Sequence, residues 1–429
     1  MKKSFLHIYI LLGLVLGVLF AFFSAKLGLP HTFTINYIKP FGVIFLNALK
    51  MIAVPIIFIS TTLGIASIEN TKKLSKLGGK TLLLFVATTL IAVTIGMVLV
   101  AIVKPGKVLS QKTREKLISL YTEKNKNSVI SEKIVNKAGP LQYVVNLVPE
   151  NLISAMSNNN NSIQVILISF IIGIAILSTS IKTVSSVVAS FKVANEIMMV
   201  IVHMIMKFAP IGVFALVASL MVEIVGLNDL EQMVEVFYAL AWYIITTVLG
   251  LAIMIFMVYP VILKMFTSLE LKRFFKVIFP AQLVAFTTSS STASLPITME
   301  CVEKHLGVSE KISSFVLPLA TTLKHDGTAL YQGIAIAFII QSMGLDLSLT
   351  TQIGIMINII LSSIGVAGVP CGAVVTIAMI LQAYGIPEAG LALIMIPERL
   401  LDMCRTVTNI TGDAVVTVAV ASMEKTEPN

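Results

Sequence analysis

The strongest constraint on this chain is a row of apolar runs, near 7–25, 40–68, 79–103, 162–180, 194–223 and 234–265, each long enough to cross a bilayer. Hydrocarbon offers no water to the backbone, so a spanning segment must satisfy its own N–H and C=O groups, and only helices and closed barrels do this. These runs are solidly apolar and do not alternate with period two, which argues against a barrel and for an all-α polytopic membrane protein. Composition agrees: 56% of the residues are hydrophobic and 12% charged, with a mean hydropathy of +0.94, whereas a soluble domain carries roughly 25% charged residues. The first run, in "MKKSFLHIYILLGLVLGVLFAFF", is too long for a signal-peptide core and lacks a small-residue cleavage site, so it is expected to be the first membrane helix.

The formal net charge is +9, but no stacking aromatics accompany the lysines, so nucleic acid is not an expected partner and anionic membrane lipid is. Lys2, Lys3, Lys72, Lys73, Lys76, Lys80, Lys264, Lys272, Arg273 and Lys276 fall on one side of the deduced topology, with Glu223, Asp229, Glu231 and Glu235 on the other. The positive-inside rule then puts the N-terminus in the cytoplasm; the expected location is the cell (inner) membrane, multi-pass, with the C-terminus cytoplasmic as well. The lysine-rich loop 104–140 would be external, against the rule, but it is long and polar and weighs less. Cys301, Cys371 and Cys404 lie far apart and show neither metal-ligand nor disulfide-framework spacing.

From about residue 268 the apolar segments are interrupted. "FTTSSSTASLP" carries seven hydroxyl residues within 287–294, and "SSIGVAGVP" begins at Ser362; both sit midway through an apolar stretch and both end in proline. Paired interruptions in corresponding positions point to a transporter built from inverted repeats, with its site near the midplane. The segments about 268–306 and 346–385 therefore read as re-entrant helical hairpins with polar tips; close packing of small residues between helices is the competing explanation.

The last span, "PERLLDMCRTVTNITGDAVVTVAV", carries Glu398, Asp402, Arg405, Thr406, Asn409 and Asp413 on a stripe roughly 100° wide. A polar stripe on a membrane helix must face a cavity or polar partners. Arg405 can grip a carboxylate with two hydrogen bonds, and Asp402 can accept from an ammonium group. Together they suit a zwitterion with an extra carboxylate. Asn409 and Asp413 supply oxygens for a small cation. An internal Asp402–Arg405 ion pair without ligand is the alternative. Between two apolar runs, "ATTLKHDGTALYQG" sets Lys324, His325 and Asp326 side by side, costly groups at membrane depth and a functional-site expectation by default.

Taken together, "LKMIAVPIIFIS", "APIGVFALVA", the serine-rich hairpin, "DGTALYQG", "GVAGVP" and "LDMCRTVTNITGD" resemble the dicarboxylate/amino acid:cation symporter family over nearly the whole chain. The resemblance implies eight transmembrane helices plus two re-entrant hairpins, arranged as a homotrimeric, elevator-type carrier. Its scaffold would be helices 1–2 (1–78) and, with an external loop, helices 4–5 (104–233). Its transport domain would be helix 3 (79–103) and residues 234–429: helix 6, hairpin 1, helix 7, hairpin 2 and helix 8. The implied activity is secondary active uptake of L-glutamate or L-aspartate coupled to Na+ and/or H+, with no cofactor and no catalysis. By the same resemblance Arg405 binds the side-chain carboxylate and Asp402 the amino group, with Thr406, Asn409, Thr328 and the backbone near Ser290, Ser291 and Val369 completing the substrate shell. Sodium positions match Thr88, Thr89, Asp326, Asn409, Asp413 and the backbone around Thr322, Ser363 and Ile364.

The departures are specific. Where the family usually has Asn-(Met/Leu)-Asp-Gly, this chain has Lys324-His325-Asp326-Gly327, and a lysine side chain offers no acceptor. Either the Lys324 ammonium stands where one sodium ion would, with Lys324 and His325 as coupling candidates for protons, or Lys324 only pairs with Asp326 and sodium binds elsewhere. Gln332 stands where animal members carry a proton-linked glutamate, and Ser289 and Met403 occupy positions where members often place an extra arginine. Cargo alternatives are C4-dicarboxylates, for which an amine-binding Asp402 is repulsive, and neutral amino acids or cystine, which would leave a buried Arg405 unpaired. An intramembrane serine hydrolase using Ser289–Ser291 with a Lys324 or His325 base, and a passive channel, are the remaining readings.

Overall fold

The computed structural model describes residues 6–27, 30–66, 71–115, 148–157, 162–179, 181–225, 230–345, 348–365, 372–384, 386 and 390–425. Among these residues the regular structure is entirely helical. Five helical stretches are long and apolar enough to cross a membrane: Thr34–Ala66, Gly78–Val108, Val184–Val222, Val234–Phe266 and Glu398–Glu424. Shorter apolar helices cover Leu12–Ser24, Gln164–Leu177, Thr350–Ser363 and Ala373–Ala383. This is a multi-pass membrane protein.

In chain order the principal helices are α1 (Leu6–Lys26), α2 (Lys39–Ala66), α3 (Thr71–Val103), α4 (Ser162–Leu177), α5 (Ile181–Val225), α6 (Leu230–Ile253) and α7 (Tyr259–Phe266). There follow α8 (Leu271–Thr288), α9 (Ser291–Glu300), α10 (Glu310–Leu323), α11 (Asp326–Ser342), α12 (Leu349–Gly365), α13 (Gly372–Ala383) and α14 (Glu398–Lys425). The fifth helix starts well before the apolar run that marks it, because 181–193 holds no Gly or Pro and an established helix propagates through polar residues at little cost. A π-helical turn, Met254–Val258, joins α6 to α7. It lies just before Pro260, whose ring removes one backbone donor from the helix.

Helices α1, α2, α4 and α5 pack chiefly on one another, with α5 lying against both α1 and α2. A second set surrounds α14, which touches α3, α6, α7, α8, α9, α10 and α11. Of the five long helices α14 is the least apolar and the most buried. Its polar side chains are therefore turned into protein and not toward the bilayer.

The first interruption separates two helices, α8 and α9, by a short break. α8 and α9 pack together and both lie against α14. The break is narrower than the hydroxyl run predicts. Only Ser289, left-handed at φ 51°, and Ser290, extended, leave the helical path, and Pro296 lies inside α9. Other hydroxyls of the run fit a helix by donating backward: Thr288 Oγ1 to Val284 O at 2.8 Å and Ser294 Oγ to Ser290 O at 3.1 Å. In the second interruption α12 and α13 pack together, while the tip 366–371, with Val366, Val369 and Cys371, lies outside the described residues.

A third break falls where the sequence reads as one span. α10 ends at Leu323, Lys324 is extended, His325 is also non-helical, and α11 begins at Asp326. The two ionisable residues thus occupy the gap itself, where the chain is free to aim them inward.

α3 reaches this region through a close crossing with α11. A Cβ at Gly96 would lie 2.7 Å from Leu330 O, a backbone atom that cannot step aside. Gly96→Ala is expected to force the helices apart at an overpacking cost of about 1–3 kcal/mol. Thermal melting of the detergent-purified protein reads this as a lowered Tm; an unchanged Tm would show that the crossing is looser than described.

Candidate functional site

The spacing Glu398, Asp402, Arg405, Asn409, Asp413 repeats every three or four residues, so a single face of α14 carries all five groups. All five, and Thr406, are buried. They divide into three polar clusters.

Nearest the start of α14, Arg405 NH2 donates to Glu398 Oε1 at 2.8 Å and to Asp402 Oδ1 at 2.5 Å. The guanidinium lies 4.1 Å from the centroid of the Tyr331 ring, a cation–π stacking geometry. The Tyr331 hydroxyl donates to Glu398 Oε2. Arg399 NH1 stands 3.6 Å from Asp402 Oδ2, within ion-pair range but without a hydrogen bond. Arg405 Nε and NH1 are buried with no hydrogen-bond partner among the described residues. Sequence reasoning left Arg405 and Asp402 with either separate ligand roles or an internal ion pair; here they are bonded directly, and Glu398 adds a second acid. The charge of Arg405 is therefore balanced within the protein, while its Nε and NH1 donors are not. Thr406 Oγ1 donates locally, to Asp402 O at 2.8 Å.

One turn deeper, Asn409 joins α14 to the start of α11. Its Oδ1 accepts from Gly327 N at 2.8 Å, and its Nδ2 donates to Thr328 Oγ1 at 3.2 Å. Gly327 N is one of the first amides of α11, which have no partner within their own helix. The break that frees them is capped from the neighbouring helix.

The deepest cluster is built around the break. Lys324 Nζ is 2.7 Å from Asp326 Oδ2 and donates to Asp413 Oδ1 at 3.4 Å. Thr88 and Thr89 of α3 donate to Asp326 Oδ1 at 3.1 and 2.9 Å. The Tyr259 hydroxyl, at the start of α7, is 3.1 Å from Asp326 Oδ2 and 3.2 Å from Thr408 O. Lys324 and Asp326 are 0% exposed and Asp413 is 1% exposed. Gly412 makes room for this packing, since a Cβ there would collide with Lys324 Nζ and the Tyr259 hydroxyl. Asp413 Oδ2 has no hydrogen-bond partner among the described residues.

The other expected residues are dispersed. His325 Nδ1 lies 3.2 Å from Ser363 O, tying the break to α12; a carbonyl only accepts, so Nδ1 carries the hydrogen. His325 Nε2 is buried without a partner among the described residues. Ser363 Oγ and Thr322 Oγ1 donate to carbonyls of their own helices, Ile360 O at 2.7 Å and Pro318 O at 2.9 Å. Ile364 closes the same end of α12, one residue before Gly365. Ser290 caps α9 by accepting from Ala293 N at 3.2 Å, and Ser291 is the buried first residue of that helix. Val369 lies outside the described residues.

Tyr259, Tyr331 and Gly412 escaped sequence reasoning. Tyr331 sits within "DGTALYQG" and Gly412 within "NITGD", so the motifs pointed near them; Tyr259 lies in a plain apolar run and gave no signal.

The sequence matches the family model described as sodium:dicarboxylate symporter family over residues 6–423. It is 33% identical over 427 residues, 99% of this chain and 96% of the relative, to the proton/sodium-glutamate symport protein of Bacillus caldotenax. It is 32% identical over 433 residues, 99% of this chain and 91% of the relative, to the C4-dicarboxylate transport protein of Deinococcus deserti. It is 34% identical over 437 residues, 94% of this chain and 76% of the relative, to the neutral amino acid transporter B(0) of Mus musculus.

Tyr259→Phe removes a donor shared by two buried acceptors. A buried acceptor left without its partner costs about 1–3 kcal/mol. The variant is expected to melt at a lower temperature than wild type while keeping its helical circular-dichroism signal; equal melting temperatures would show that the hydroxyl contributes nothing.

Proposed function

We propose that this chain, which belongs to the sodium:dicarboxylate symporter family, is a secondary active symporter that takes up L-glutamate and L-aspartate together with cations, Na+ and/or H+. The observation that carries this reading is the buried Arg405–Asp402 pair on α14, whose guanidinium keeps Nε and NH1 without protein partners among the described residues. A buried donor left unpaired is costly. A substrate carboxylate accepting from those atoms offsets the cost, and Asp402 Oδ2 is available to an ammonium group. Ser290, Ser291, Thr328, Val369, Thr406 and Asn409 complete the substrate shell in this reading. In this reading the polar groups around the α10–α11 break, Thr88, Thr89, Thr322, Asp326, Ser363, Ile364, Asn409 and Asp413, hold the positive charge that couples to transport, as a co-transported cation or as the Lys324 ammonium.

The packing supports an elevator. α3, α6 to α11 and α14 form a set with its own polar centre, suited to move as the transport domain, with α12 and α13 as its second hairpin. α1, α2, α4 and α5 form the scaffold. In this reading eight spans and two re-entrant hairpins make up a protomer. The exposed apolar side chains of the scaffold, such as Leu12, Ile171 and Ile197, face lipid or neighbouring copies in a homotrimer. The protein sits in the inner membrane with cytoplasmic termini. It is a carrier and not a hydrolase in this reading, supported by its membership of a symporter family and by Lys324 being engaged by Asp326 and Asp413.

A second reading, neutral amino-acid cargo, is favoured by Glu398. Because Glu398 and Asp402 already neutralise Arg405, the guanidinium does not require a substrate carboxylate for charge balance.

Competition against labelled aspartate uptake in vesicles separates the cargoes. Glutamate and aspartate are expected to compete, with succinate and alanine much weaker; strong competition by alanine alone would favour the second reading. Arg405→Ala is expected to lose about 10²-fold in apparent affinity for acidic cargo, the order for truncating one side of a buried charge pair. Arg405→Lys, which keeps the charge but not the fork, should fall between.

A further inference from the structure

Both oxygens of the Asp326 carboxylate are crowded by this protein's own polar groups. A carboxylate offers about four lone-pair sites. Thr88 and Thr89 hydroxyls face Oδ1 at 3.1 and 2.9 Å, and Lys324 Nζ, as an ion pair, and the Tyr259 hydroxyl face Oδ2 at 2.7 and 3.1 Å; the Thr88 and Tyr259 hydroxyls also reach Phe85 O and Thr408 O, each at 3.2 Å. Small hard cations bind through shells of oxygens, and here the oxygens of Asp326 are spoken for. The ammonium is fully buried, Gly412 gives it space that any larger residue would deny, and the Tyr259 ring lies 5.7 Å from it. The residues around Asp326 therefore do not fit a free sodium ion.

The charges within the cluster point the same way. Lys324 supplies one positive charge, and Asp326 and Asp413 two negative charges. Asp413 meets the ammonium only at 3.4 Å through Oδ1, and its Oδ2 is buried with no hydrogen-bond partner among the described residues. The two acids outnumber the one ammonium they share, and Asp413 Oδ2 is the oxygen left without a hydrogen-bond partner among the described residues.

We propose that Lys324 is a tethered cation: its ammonium permanently takes the place of one free coupling ion at Asp326, leaving Asp413 Oδ2 as the seat of a single exchangeable cation. This rests on the carrier reading above and adds to it a reduced cation stoichiometry. His325 acts in the same direction, because its Nδ1–H engages Ser363 O, a carbonyl that would otherwise be free to face a cation.

The test counts sodium ions. The sodium dependence of aspartate uptake in vesicles, and of Tm for the purified protein, is measured with choline as the replacement cation; ions bound to the folded state raise Tm by mass action. For wild type the logarithmic slope is expected to be zero or one, and a slope of two or more overturns the proposal without any variant. Lys324→Asn exposes Asp326 to solvent ions, so its slope is expected to steepen by one ion relative to wild type; an unchanged slope also overturns the proposal. Should Lys324→Asn fail to fold, the wild-type slope alone decides. Failure of the carrier reading looks different: no acidic substrate accumulates in any salt, while the melting slopes still report the ion count.

Discussion

The structure turns on a lysine placed between two aspartates where water does not reach. Removing charges from water is expensive, and their mutual attraction repays this only when geometry is good and the remaining polar atoms are bonded. Asp326 approaches that condition with three hydroxyls and one ammonium, which come from three other parts of the chain: α3, the start of α7 and Lys324 before α11. Leaving one partner of such a cluster unpaired costs about 3–5 kcal/mol. The acid thus fixes how α3, α7, α10, α11 and α14 sit together, and the helix break exists at the depth where those contacts can be made.

The same helix face carries a second charged group with a different balance. Around Arg405 the protein supplies two acids, a tyrosine ring and a nearby Arg399. The guanidinium is neutralised in charge yet incompletely hydrogen-bonded, which suits a site that exchanges a ligand. Asn409 lies between the two groups and bonds to α11 on both sides of its amide. A shift of α11 relative to α14 would therefore be felt by both clusters at once. Coupling between cargo and cation needs a shared structural element of this kind.

Much of this was legible in the residues. The apolar runs dictated helices because hydrocarbon permits little else, and the polar stripe from Glu398 to Asp413 had to face inward because lipid would not accept it. The hydroxyl run at 287–294 marked a break, though only Ser289 and Ser290 leave the helix, since serine and threonine bond back to their own helix as readily as they break it. Lys324 and His325 announced themselves by their cost. That they interrupt the span was not readable, because a charged pair looks the same in a helix as in a gap.

The sequence by itself determined that the chain is a helical membrane protein with a polar seam in its last span and ionisable groups at depth, because burial rules act on residue type and spacing alone. Only the tertiary structure decided which charges meet. Lys324 found both Asp326 and Asp413, Arg405 found Glu398 as well as Asp402, and Tyr259 entered from a run that gave no hint of it. Electrostatic pairing depends on distances of a few ångströms between segments far apart in the chain, and those distances are set by helix packing, which no local pattern encodes.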